Sequence, residues 1–539
     1  MTGVVDGGSR YPEVMPIEFA EGRGIEEMTM IRNRREFLAD VGRGMLVASV
    51  GAAVAQDVGL IPIAMAEETD ARLTFGAIEP LVALMQETSA DRLLPIVIDG
   101  LRRGTDLRQY VTAAALANAR TFGGEDYDGY HALMALAPAF QMAGELPEAE
   151  RALPVLKVLV RNSNHILSKG GRSHEALHRV EPSARPAHGA LLEATRHEDM
   201  DGAERAFASL TKSSLDDAYN ELLEVVQDHV NVHRVVLAWR SWALLDLTGK
   251  EHAHTLLRQS VRYCVAEDAS MRRAKREEPL QVLLPKLLDE HHLLSRPVGT
   301  KPLDDAAIDR LAHLIYASPR STAAGAVAAA LGEGFSPESV GEAISLAANA
   351  LVLHDPGRRT QDTASKPKGS VHGASIGVHA SDAANAWRNI ARVSNPRNTV
   401  ASLIVGAYHT AGQSGELNPK PFPLAEQREM VRDVKPAALL AEAEAAIRSN
   451  DQMRACALVH RHGELGLPSR RAFDMLLRFA ISEDGALHAE KYYRTVTEEF
   501  AATRPAFRWR HLAALARVTA SEHGFPAPGV AEARQLLKI

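Results

Sequence analysis

Leu93-Leu94-Pro95-Ile96-Val97-Ile98-Asp99-Gly100-Leu101, a break at Gly104-Thr105-Asp106, and then an apolar-periodic run over 107–121 decide the fold class. In both runs the apolar residues recur at three-and-four spacing rather than alternating, which is the period of a helix. Thr105 or Asp106 stands where a helix needs an N-cap, because a short side-chain oxygen there accepts one of the unpaired first-turn N–H groups. Gly123-Gly124-Glu125-Asp126 is the next stop, and His131-Ala132-Leu133-Met134-Ala135-Leu136-Ala137 opens another helix. The same pattern predicts helices over 153–167, 200–210, 215–247, 251–265, 279–292, 304–315, 336–353, 381–393, 399–410, 436–447 and 470–479. No run reads as a strand. The expected fold is all-α, a multi-helical array or solenoid-like bundle of antiparallel helices, although no fixed repeat period is visible.

Break signals gather at 168–190, 354–371 and 412–424. In the last of these Asn418-Pro419-Lys420-Pro421-Phe422-Pro423 is incompatible with helix. The expected division is a main helical body, 67–412, and a smaller C-terminal module, 425–539.

The N-terminal segment carries a different kind of signal. Arg34-Arg35-Glu36-Phe37-Leu38 sets two arginines before an apolar pair, and the weakly hydrophobic stretch Gly44 to Ala55 follows. That order resembles a twin-arginine signal, and Ala64-Met65-Ala66 supplies small residues for cleavage after Ala66. The resemblance implies a bacterial precursor handled by the twin-arginine translocase and a periplasmic or otherwise extracytoplasmic mature chain. Residues 1–66 are then a disordered extension plus signal peptide. The route carries folded proteins, often with a cofactor installed.

Composition narrows the rest. Of 539 residues only two are cysteine, Cys264 and Cys456, so neither a disulfide framework nor a cysteine zinc knuckle can be drawn. A net charge of −7 with interspersed signs excludes a nucleic-acid surface. No stretch beyond the signal has the length of a membrane span, so the mature chain should not span a bilayer.

Histidine is where chemistry is to be sought, with 22 in the chain. Neutral imidazole is the commonest metal ligand and the natural proton carrier near neutral pH. His229 and His233 are four apart and His372 and His379 seven apart, spacings that place each pair on one face of a continuous helix. His131 follows the acidic, polar stretch Glu125 to Tyr130, a natural cleft position. Any single pair of this kind is more often a pair of hydrogen-bonded structural residues. Trp239 and Trp242 beside His233, and Trp387 after His379, have the spacing to line an apolar pocket, or to be plain core.

His174-Glu175-Ala176-Leu177-His178 matches the HExxH pattern, in which two histidines one turn apart hold zinc and the glutamate activates water. Its context argues against a zinc hydrolase. Gly170-Gly171 precedes it, Pro182 follows within two turns, and Glu181 and Ala184 stand where an extended motif needs Gly and His. His174, His178, His229 and His233 are the candidate metal ligands, with iron or zinc as the expected ion.

Four short blocks resemble the questin oxidase-like proteins: His131 with Ala132 to Leu136; Val232-His233-Arg234-Val235-Val236; Ser370-Val371-His372-Gly373-Ala374 running into His379-Ala380; and Asp484-Gly485-Ala486-Leu487-His488 with Lys491. They occur in that family's order across 130–495. The resemblance implies an all-helical oxidoreductase of the Baeyer-Villiger-type monooxygenase class, acting on a small organic substrate with NADPH as reductant, and makes His131, His233, His372, His379 and His488 the candidate catalytic residues. The export signal would put the mature chain where NADPH is scarce. Two other functions fit the sequence: a non-enzymatic extracytoplasmic helical scaffold or binding protein, and the HExxH zinc hydrolase. The expectation that separates them is that the five histidines meet in one cavity, with Asp126 or Asp128 fixing a tautomer.

Overall fold

The computed structural model describes residues 72–539, apart from 183–186, 277, 362, 365, 374 and 414. Arg34, Arg35 and Ala66, expected from the sequence to belong to an export signal, lie outside the described residues. The described residues hold twenty-three α-helices, six short 3-10 turns and isolated bridges, without a sheet. The fold is an all-α multi-helical bundle, and none of its described helices is long and apolar enough to cross a membrane.

Local chemistry sets the helix boundaries. Asp106 caps Leu107–Phe122 through a capping box with Gln109, and Gly123 ends it in the left-handed conformation. Gly124 follows at φ +86°, and a Cβ there would run into the carbonyl of Gln259. Strain and overlap act together, so Gly124→Ala should cost about 2–4 kcal/mol of stability. Urea denaturation checks this; a loss below 1 kcal/mol, on the order of ordinary surface changes, would show that the neighbouring helix yields freely.

Four helices bring the candidate histidines together: α1 (Tyr127–Ala143), α2 (Val232–Thr248), α3 (Ile376–Val393) and α4 (His488–Ala502). Each packs on the next, α1 on α2, α2 on α3, α3 on α4 and α4 back on α1, so they close a ring although their residues span the chain. Residues 72–539 form one compact unit. The 412–424 segment is therefore a loop inside a packed unit, and α4, from the expected 425–539 module, stands among helices of the expected main body.

Two boundaries differ from expectation in ways that bear on the histidines. The run expected as one helix over 215–247 is two, Leu215–Val226 and α2, because Asn231 leaves the helical conformation and its side chain caps the backbone N–H of His233. His229 lies in the connection, so it does not share a helix face with His233. Likewise His372 precedes α3, whose cap is Ser375, and does not share a face with His379.

Candidate functional site

α1, α2, α3 and α4 each contribute one histidine from the start of the helix: His131 is the fifth residue of α1, His233 the second of α2, His379 the fourth of α3 and His488 the first of α4. Helical side chains lean back towards the N-terminus, so the four rings meet where four helix N-termini converge. Their centroids close a circuit, His131 to His233 at 4.8 Å, His233 to His379 at 5.9 Å, His379 to His488 at 5.3 Å and His488 to His131 at 5.2 Å. Tyr127 lies 4.3 Å from His131 and 5.5 Å from His233 and is 55% exposed, which makes it the outer edge of the cluster. Tyr130 contacts the same two rings from within the core.

The hydrogen bonds assign tautomers. Nδ1–H of His131 donates to the Tyr127 carbonyl (2.7 Å), and Nδ1–H of His488 donates to the Gly485 carbonyl (3.2 Å), since a carbonyl only accepts. Both Nε2 atoms then carry a lone pair. His488 Nε2 receives its proton donor from His379 Nε2–H at 3.2 Å. Nε2 of His131 and of His233 are buried without a hydrogen-bond partner. The structure therefore keeps two imidazole nitrogens desolvated and unused, an arrangement that costs stability unless something binds them.

Lys491 stands one turn after His488 on α4 and is buried. It acts electrostatically on all four rings. Burial pushes its ammonium down to about 8, with Asp382 and Glu490 opposing the shift. Asp382 stands one turn after His379 on α3 and accepts a hydrogen bond from Thr495 (2.7 Å), while Glu490 pairs with the buried Lys157 ammonium (2.6 Å). Burial, and after it Lys491, holds His379 down to about 3 and His131 and His488 well below the ordinary histidine value. His233 is lowered by burial first and then by His379. All four rings are neutral at pH 7.

His488 is held by an unusual turn. Gly485, Ala486 and Leu487 all adopt positive φ (+49°, +48° and +64°) immediately before it. Left-handed backbone at Ala and Leu costs on the order of 1–3 kcal/mol each and persists where the surroundings impose it, a pattern concentrated at functional sites.

His372 lies beside the ring rather than in it. Its Nε2 is 3.6 Å from Glu522 Oε1, and it acts electrostatically on His379 and His488. Burial pushes the Glu522 carboxyl up to about 7 against the Gly373 N–H that donates to it. Asp126 and Asp128 do not orient any of the four rings. Asp126 caps α1 and pairs with His165, and the backbone carbonyl of Tyr127 takes the orienting part instead.

The other candidates are placed elsewhere. His174-Glu175-Ala176-Leu177-His178 is extended, with His178 bridged to Arg72 and Glu175 ion-paired to Arg72 and Arg120, so no helical turn brings His174 and His178 together. The reason is local: residues 176 and 177 donate their backbone N–H groups to the carbonyls of Thr121 and Arg120. His229 sits with Asp228 and Asp268, the one group of three potential ligands among the described residues whose donor atoms all lie within 4.8 Å. Arg196 holds Asp228, Arg234 holds Asp268 (2.6 Å), and Gln281 reaches both Asp228 and His229 (2.8 and 3.1 Å), so this is an ion-pair network already neutralised by arginine. Trp242 stacks on Tyr219, and Trp387 is core with its Nε1–H donated to His409.

Nε2 of His131 and His233 are open, but His488 Nε2 accepts from His379 and the ring histidines do not bring three donor atoms within 4.8 Å of one another, so as they stand they do not fit a single metal ion. No family model matches the chain, and no curated protein and no solved structure matches it.

Proposed function

We propose that this chain is an oxidoreductase acting on a small organic substrate, with the ring of His131, His233, His379 and His488 as its proton-handling centre. The observation that carries the reading is the pair of buried, unpartnered Nε2 atoms of His131 and His233 in a closed circuit of neutral imidazoles. Scattered structural histidines have no reason to meet from four distant segments or to leave two ring nitrogens desolvated.

The chemistry follows from the charges. A neutral imidazole takes a proton from an acidic O–H, or from a C–H beside a carbonyl, when its nitrogen stands within hydrogen-bond reach. The anion so formed needs positive potential, which Lys491 and the four converging helix N-termini supply in a site that excludes bulk water. His379 and His488, hydrogen-bonded through Nε2, can pass a proton along the ring. The Baeyer-Villiger-type class that the resemblance implies first needs a peroxide nucleophile, formed from dioxygen and the reductant's two electrons, to add to a substrate carbonyl; a neutral imidazole can take the hydroperoxide proton and Lys491 can stabilise the oxyanion that the addition forms. In that class one oxygen atom enters the C–C bond beside the carbonyl and the other leaves as water, with two electrons from a reductant such as NADPH.

Oxygen uptake by the purified chain, with and without NADPH, over a panel of hydroxylated aromatic ketones tests the reading. Uptake that requires substrate and disappears in His131→Ala and His233→Ala supports it. Equal uptake by both variants would remove the ring from the reaction and favour the scaffold reading.

Export belongs to the same reading. Replacing Arg34 and Arg35 with Lys should retain the precursor in the cytoplasm, because the translocase reads the arginine pair rather than its charge. Normal secretion of the double variant, followed by cell fractionation, would contradict it.

A further inference from the structure

A cavity of about 590 Å³, apart from the histidine ring, opens between the helices Asp305–Ala317 and Pro337–Leu353 and the loop 417–424. Its volume lies in the range of small-molecule sites. The proline-rich stretch that cannot be helical forms its roof, and this roof is tied down. The Asn418 N–H donates to the His354 carbonyl (2.7 Å), His354 Nδ1–H donates to the Asn418 carbonyl (2.7 Å), and the Phe422 N–H donates to the Leu353 carbonyl (2.7 Å). These bonds satisfy the end of the helix below and fix the loop above it.

The lining has three chemically different parts. Tyr316 and His354 form an aromatic wall, their ring centroids 5.3 Å apart and their planes 37° from parallel. At the floor is Asn349, 1% exposed, whose Oδ1 is buried without a hydrogen-bond partner. At the rim are the exposed Lys420 and Arg428, together with Arg510, whose guanidinium pairs with Asp309 (2.8 Å). With Asp309 matched to Arg510, the rim is positive.

From these parts we infer that the cavity is a binding site for a flat aromatic anion that carries a hydrogen-bond donor at the end remote from its charge. The aromatic body stacks in the Tyr316–His354 wall. The anionic group meets Lys420 and Arg428 at the mouth, and an O–H or N–H donates to Asn349 Oδ1 at the floor once the amide, closed off from the cavity in the free protein, turns towards it. An unsatisfied buried amide oxygen is costly, and a ligand donor removes that cost, which is why such a site discriminates strongly against an analogue lacking the donor. None of the four ring histidines lines this cavity, so the site stands apart from the imidazole ring and from the reading of that ring.

The probe is a hydroxynaphthoate with its hydroxyl and carboxylate at opposite ends of the fused rings, titrated calorimetrically into the full mature chain. One-site binding is expected. Naphthoate without the hydroxyl should bind the unaltered protein at least about tenfold more weakly. Lys420→Glu combined with Arg428→Glu, two exposed positions that leave the fold intact, should weaken hydroxynaphthoate at least about tenfold and reverse the sign of its salt dependence. Asn349→Leu should bring the two naphthoates to equal affinity. The inference is overturned by absence of binding at millimolar probe, by equal affinity of the two naphthoates for the unaltered protein, or by binding that the charge reversals leave unchanged. His131→Ala and His233→Ala should bind the probe as the unaltered chain does, which separates this test from that of the imidazole ring.

Discussion

Lowering the pH from 7 to 5 is expected to unfold this chain cooperatively, with a steeper loss of stability than carboxylate protonation alone produces. Burial holds eleven histidines below their ordinary value, and eight of them furthest: His254, His372 and His511 down to about 4, His379 and His409 down to about 3, and His131, His233 and His488 well below it. Each binds a proton in the unfolded chain near pH 6.5 but not in the folded one. Between its folded value and 6.5 the unfolded state therefore holds more protons, so stability rises with pH in that window and is lost as pH falls through it. Glu522 opposes this. Its folded value of about 7 lies above the ordinary 4.5, so the folded state holds the extra proton between those values and that contribution grows as pH falls. With these histidines all acting in one direction and Glu522 in the other, the net loss of stability on acidification is steep between about pH 6.5 and 5. Helical circular dichroism followed from pH 7.5 to 4.5 checks it. A helical signal and a thermal midpoint unchanged between pH 7 and 5 would show that these rings are solvated and protonated in the folded state.

The second large effect concerns catalysis. His131→Ala and His233→Ala are each expected to lower kcat by about 10²–10⁴, the usual contribution of a positioned general base, with the helical content retained. Lys491 gives a sharper test because its effect has a pH signature. If its ammonium stabilises a developing anion, kcat/KM should fall as pH rises through about 8, where Lys491 loses its proton. Lys491→Arg keeps the charge and should move that descending limb above pH 10, since a guanidinium does not titrate in this range. Lys491→Met should remove the limb altogether and leave the activity low at every pH. The same substitution removes the positive neighbour common to the four rings, so the histidines should titrate at higher pH than in the unaltered chain. A pH profile with the same limb in all three proteins would take Lys491 out of the reaction.

Much of the fold was legible because helix period and caps are local properties. Asp106 and Gly123 punctuate Leu107–Phe122 where the sequence said a helix should begin and end. The histidine pairs were harder to read, because spacing has meaning only on a continuous helix. Asn231 breaks the run before His233, and Ser375 starts α3 after His372, so neither pair shares a face. HExxH failed for a related reason: its backbone N–H groups pair with the carbonyls of residues 120 and 121 instead of closing a turn. What brings His131, His233, His379 and His488 together is packing among helices hundreds of residues apart, which no local pattern encodes. The short blocks of the resemblance pointed to these residues. Nothing in the sequence marked Glu522 as buried or Ala486 and Leu487 as left-handed; Gly485 alone was a signal for that turn. Asp126, read as an orienting carboxylate, is engaged by His165 and its own helix.

Whether four neutral imidazoles meet with one hydrogen bond between His379 and His488 and two open nitrogens is tested most directly by nitrogen-15 NMR of the histidine side chains. The signals are assigned by single substitution and followed from pH 8 to the onset of unfolding. Those of His131 and His488 should show the proton on Nδ1 and a bare Nε2, His379 should show it on Nε2, and none of the four should titrate before the chain unfolds. Four independent titrations near pH 6.5, with mixed tautomers, would contradict the account.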